Sequence, residues 1–96
     1  MALSKRTKEI MLIALPDAKV RDEIAAAIDA NVAVSLSGQA KRFLEIALPE
    51  SKVYQEVVGS IEAGGSASLS KEAKAVLNIM MPDSEAFEEL VAGIQA

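Results

Sequence analysis

The chain has 96 residues, of which 51 % are hydrophobic but only 3 % aromatic; it carries a net charge of −4 and has no histidine, cysteine or tryptophan. These absences exclude a disulfide framework, a zinc finger, a thiol nucleophile and an imidazole base. The acidic balance argues against nucleic acid, whose binders start from a basic surface.

In chain order, Met1-Ala2-Leu3-Ser4 runs straight into Lys5, Arg6 and Lys8 without the apolar stretch of a leader peptide. No apolar run approaches the ~18 residues of a membrane span. The expected protein is soluble and cytoplasmic, with neither membrane nor nucleic-acid partners. The basic cluster, followed by Glu9, reads as the solvated first turn of a helix.

Ser4 stands where an N-cap belongs, and the run behind it is rich in helix formers. Thr7, Ile10, Met11 and Ala14 recur at i, i+3, i+4, i+7 and define one face, which Ile13 is expected to widen. Pro16 removes an amide donor and biases its predecessor away from helix, so this helix should end near Ala14 or Leu15. Asp17 can cap a second helix or favour its positive end. Val20, Ile24 and Ile28 form that helix's buried stripe, with Asp22 and Glu23 on the other, solvated side. Asn31, tolerant of a left-handed cap, should end it.

The same pattern then returns twice, 33 residues apart and without gaps. Leu3, Ser4, Lys8, Ile13, Pro16, Glu23, Ile28 and Ala30 are matched by Leu36, Ser37, Lys41, Ile46, Pro49, Glu56, Ile61 and Ala63. They are matched again by Leu69, Ser70, Lys74, Ile79, Pro82, Glu89, Ile94 and Ala96. Self-similarity of this kind marks repeat architecture. The expected fold is all-α: a single domain over 1–96 of three tandem 33-residue helix-turn-helix repeats (3–35, 36–68, 69–96), its six short helices packed as a small array or bundle.

One such hairpin cannot bury its stripe alone. The units must cover one another within the chain or between chains, which leaves a homo-oligomer open. The linker Asn31–Ser35 is apolar and expected to pack. Gly64-Gly65-Ser66-Ala67-Ser68 reads as a flexible spacer that would let the third unit hinge or swap. Charge is graded along the units, with five basic against five acidic residues, then three against four, then two against five.

No catalytic, cofactor-binding or metal site is expected. Ser37 and Ser70 have no base at a recognisable spacing and read as caps. Glu85, Glu88 and Glu89 lack the alternation of a calcium loop. Gly64-Gly65 lacks the strand context of a phosphate-binding loop. Candidate protein-binding residues are Tyr54 and Phe87, at the register position of Arg21, and Met80 and Met81, which replace Ala-Leu. Each has two readings: exposed anchors or leaning cover for the aromatics, and an adaptable surface patch or gap-filling core for the methionines.

The ankyrin and tetratricopeptide signatures are missing despite the period. The unit Leu-Ser-x-x-[Ala/Thr]-Lys-x-x-[Ile/Phe/Val]-[Met/Leu]-x-Ile, followed by the proline turn and an Ile-x-Ala ending, resembles short alanine-rich helical repeats. Such repeats occur in structural proteins of tailed-bacteriophage virions, in head-fibre, decoration or tail-associated proteins. The resemblance spans nearly the whole chain. It implies a non-enzymatic virion component, assembled in the host cytoplasm, whose partners are phage capsid or tail proteins, and it carries over no catalytic residue. The alternative is a soluble helical-repeat adaptor or inhibitor for a single protein partner. A small helix-turn-helix DNA-associated protein is a third class, disfavoured by charge.

Overall fold

Six helices and no strand make up the described residues, 3–65 and 68–95, of a computed structural model. Ala96 of the shared alanine position, Ser66-Ala67 in the middle of the glycine linker, and Met1-Ala2 lie outside them. The helices are α1 (Lys5–Ala14), α2 (Ala18–Ala30), α3 (Gly38–Ala47), α4 (Ser51–Glu62), α5 (Lys71–Met80) and α6 (Ser84–Gln95).

Local chemistry sets their bounds. Ser4, Ser37 and Ser70 cap α1, α3 and α5, each hydroxyl accepting the amide three residues on, at 3.2, 3.1 and 3.1 Å. The odd-numbered helices stop two residues before proline, because that ring can neither donate to the ladder nor sit in the next turn. Asp17 caps α2 through Lys19 and Val20, and Asp83 caps α6 through Ala86. Glu50, one methylene longer, makes no capping bond with α4. As expected, α2 ends on Asn31 in the left-handed region (φ 53°), and two left-handed glycines, Gly64 and Gly65, follow α4. Gly64 is pinned there in space as well: a Cβ on it would lie 3.0 Å from the Val32 backbone, where the two linkers pass each other.

Consecutive helices pack in pairs, and α6 returns to pack on α1, so the order closes on itself. The even helices α2, α4 and α6 also meet one another at the centre. The dimensions, 25 × 24 × 24 Å, are those of a closed bundle, not of an extended array. The third helical pair packs against both others within the one chain.

Residues 33 positions apart meet in the core. Met11, Leu44 and Leu77 converge with Ile24, Val57 and Leu90 and with Ile28, Ile61 and Ile94 around a void of about 10 Å³, too small for a ligand. All nine are buried, the six on even helices as their stripes predict. Near this centre α6 packs tightly on α2: a Cβ on Gly93 would sit 2.7 Å from Ile28 Cγ2, where the related positions are Ala27 and Ser60. Ser60 is buried and donates its hydroxyl to the Ile94 carbonyl at 3.1 Å, which removes the cost of an unsatisfied polar group.

The odd helices bury the face their periodicity suggests, but centred to one side of it and without the isoleucines. Their core residues run at a spacing of four: Leu3, Thr7, Met11 and Leu15, then Leu36, Ala40, Leu44 and Leu48, then Leu69, Ala73, Leu77 and Met81. Ile10, Phe43 and Val76, with Ala14, Ala47 and Met80, are half-buried at its edge. Ile13, Ile46 and Ile79, expected to widen the core face, instead point out, with 71, 74 and 82 % of their surface exposed. The run Ile10 to Leu15 is apolar at every position, so it has no period to mark an inner side. Packing chose the side.

Candidate functional site

Burial of apolar surface contributes roughly 25 cal/mol per Å², so an isoleucine left in water gives up most of what it could add to folding. One such residue is unremarkable. Three at one register position, the same residue type in each, make a pattern that folding does not account for. Ile13, Ile46 and Ile79 all lie in the last turn of an odd helix, just before the proline turn. Each is flanked on its own helix, three residues back and one on, by half-buried apolar groups: Ile10 and Ala14, Phe43 and Ala47, Val76 and Met80. Helical spacing places these on a common strip, so each odd helix ends in an apolar patch at the edge of the core.

Between α3 and α5 this patch deepens into a groove of about 310 Å³. Ala47, Pro49 and Glu50 form one wall, and Val76, Ile79 and Met80 the other. Its depth follows from side-chain size, since Ala47 and Val76 are small. Met80 also reaches the central void, so one flexible thioether connects the groove floor to the core.

Hydrogen-bonded carboxylates hold the opposite, N-terminal ends of the odd helices. Glu23 of α2 accepts from the Ser37 amide (2.7 Å) and hydroxyl (2.8 Å), and Glu56 of α4 accepts from the Ser70 amide (2.5 Å) and hydroxyl (2.9 Å). Glu89 of α6 accepts from the Ser4 amide at 2.5 Å across 85 residues of sequence. The Ser4 amide, with further bonds from the Thr7 and Ser4 hydroxyls, holds the Glu89 carboxyl below the usual glutamate range. Each serine therefore caps its own helix and ties it to the preceding even helix. A second set holds the odd-helix starts: Asp29, Glu62 and Gln95 accept from the amides of Leu3, Leu36 and Leu69 at 2.7, 2.8 and 2.7 Å. Asp29 and Glu62 also pair with Lys8 (3.7 Å) and Lys41 (3.3 Å).

Of the residues singled out from the sequence, Met81 is wholly buried (0 % exposed) and takes the core place of Leu15 and Leu48. The surface-patch reading is corrected for Met81, because the residue before the proline turn faces inward. Met80 is half-buried in the groove floor. Tyr54 and Phe87 are half-buried and packed against the core. Arg21, at their register position, folds back so that its guanidinium donates to the Lys8 carbonyl of α1 at 2.7 Å. The structure thus brings Met80 to the groove and leaves Met81, Tyr54 and Phe87 out of it.

The isoleucines, expected on the core face, are exposed. Glu23, Glu56 and Glu89 lie off the core stripe as expected, and they bond the serines there, a pairing that their strict recurrence alongside those serines signals. Among the described residues no cluster of His, Cys, Asp or Glu could hold a metal ion, and no helix is long and apolar enough to cross a membrane. Comparison of the chain with protein-family models, with curated proteins and with solved structures finds no match.

Proposed function

We propose that this chain is a non-enzymatic protein-binding scaffold, built of three tandem 33-residue repeats closed into a ring, that docks on a larger protein assembly through the ends of its odd helices. The observation that carries this reading is the exposure of Ile13, Ile46 and Ile79, one apolar side chain offered three times by equivalent turns. Three equal anchors suit a partner that itself presents repeated or identical subunits, since each contact is weak alone and the set gains by avidity. The resemblance of the repeat to helical units of tailed-phage virion proteins supports a phage particle, in its head or tail, as that assembly.

Mass spectrometry of purified particles of the phage that encodes the chain tests the setting. The expected result is several copies per particle; particles that lack the expressed protein overturn it. Replacing the three isoleucines by lysine (I13K, I46K and I79K together) separates the contact from the fold. The variant is expected to keep its helical circular dichroism and to drop out of the particle. A variant that is incorporated as before would remove the isoleucines from the interface.

A further inference from the structure

Two of the junctions between successive helical pairs place corresponding residues together, and their charges differ. Arg6 in the first turn of α1 pairs with Asp83 before α6. The same two places are held by Glu72 in the first turn of α5 and Glu50 before α4. The repeat register sets Glu72 against Glu50 as Arg6 is set against Asp83, and the Glu72 carboxyl raises the Glu50 pKa above the usual glutamate range, with Lys52 a minor offset. Glu50 also lines the groove formed with Val76, Ile79 and Met80. An apolar floor therefore ends at a pair of like charges, in the position where the chain elsewhere seats an arginine.

We propose that this groove binds a protein segment presenting an arginine or lysine beside aliphatic side chains. The cation sits between Glu50 and Glu72, as Arg6 sits against Asp83, and the aliphatic groups lie on Val76, Ile79 and Met80. The proposal rests on reading the odd-helix ends as an interaction face and adds that one of the three junctions has its own ligand chemistry. Charge complementarity selects the partner: a carboxylate pair gains from an inserted cation and rejects an acidic segment. The groove is short, so the contact is with a few residues of the partner.

The test uses the full chain with ¹³C-labelled Ile and Met methyl groups, and a blocked helical peptide carrying one Arg with Leu four residues to either side. The expected result is saturable shifts of the Ile79 and Met80 methyls, with smaller movement at Ile13 and Ile46. An Arg→Gln peptide, or Glu72→Arg in the protein, is expected to weaken binding by about five- to tenfold, and Glu50→Gln by a smaller factor in the same direction. Equal shifts at all three isoleucines would overturn the groove proposal while leaving the apolar docking face intact. Binding indifferent to both Glu72→Arg and Glu50→Gln would overturn it as well, as would silence at every methyl. The wider scaffold reading is decided separately, by particle incorporation of the isoleucine variant.

Discussion

The junction where α6 closes on α1 and the junction where α5 follows α4 share a backbone plan and differ in charge. At the first, Glu89 holds the Ser4 amide beside the buried Thr7 hydroxyl, and Arg6 pairs with Asp83. At the second, Glu56 holds Ser70 in the same way, but Glu50 meets Glu72. The repeated glutamate–serine tie and the apolar core maintain both geometries. The outer charged pair is free to change sign because exposed pairs contribute little to stability. That difference teaches where the constraint lies: inside and at the caps, not at the rim, which is left available for recognition.

The largest effect should come from cutting the tie on each side. Glu89→Ala removes the acceptor of the Ser4 amide and the carboxylate beside the buried Thr7 hydroxyl, which keeps the Ser4 hydroxyl as its partner. Urea unfolding is expected to show a loss of about 2–3 kcal/mol. Glu56→Ala removes bonds to the Ser70 amide and hydroxyl, where Ala73 stands in the place of Thr7, and should cost about 1–2 kcal/mol. Equal losses would mean that the closing junction is no more dependent on its carboxylate than the internal one.

Acid should separate the two junctions next. Glu89 and Asp83 titrate below their ordinary ranges, Asp83 chiefly because the Ala86 amide donates to it and then because of Arg6. Their contribution is present above the unfolded carboxylate pKa of about 4 and is lost as pH falls through the lower folded values. Glu50 behaves in the opposite sense: Glu72 raises its pKa, so its unfavourable contribution at neutral pH is relieved as it binds a proton. On acidification, amide protection in α1 should therefore fall before protection in α5, by hydrogen exchange corrected for intrinsic rates. Simultaneous loss in both helices would argue that the junction charges are not coupled to helix docking.

Charge exchange predicts a smaller change. Glu72→Arg should raise the melting temperature by a few degrees at low salt, and Arg6→Glu should lower it. The double exchange should return it near its starting value while moving the like-charged pair to the closing junction. A double variant no different from Arg6→Glu alone would show that the rim pairs do not act as equivalents. Smallest of all, Ile79→Lys should alter stability by no more than ~0.5 kcal/mol. Leu77→Ala, two residues away but inside, should cost about 2–5 kcal/mol.

Much of this protein can be read from local rules. The serine caps, the proline stops, the Asn31 helix end and the stripe of each even helix depend on residues within one or two turns, and each was legible in the sequence. The glutamate–serine ties were half legible, as recurrence without a stated partner. Asp29, Glu62 and Gln95 do one job with three residue types, so no identity marked them. The groove was visible only through Met80. Its acidic end joins residues 22 apart in the chain, which only packing brings together.

By itself, then, the sequence determined six helices and their ends, because caps, breakers and periodicity act over a few residues. The tertiary structure alone decided that the helices close through α1 and α6, that Met81 goes inward while Ile13, Ile46 and Ile79 go outward, and that Glu72 faces Glu50. A run such as Ile10-Met11-Leu12-Ile13-Ala14-Leu15 is apolar on every side, and nothing local tells it which side will meet a neighbour. The face is set by where the other helices lie.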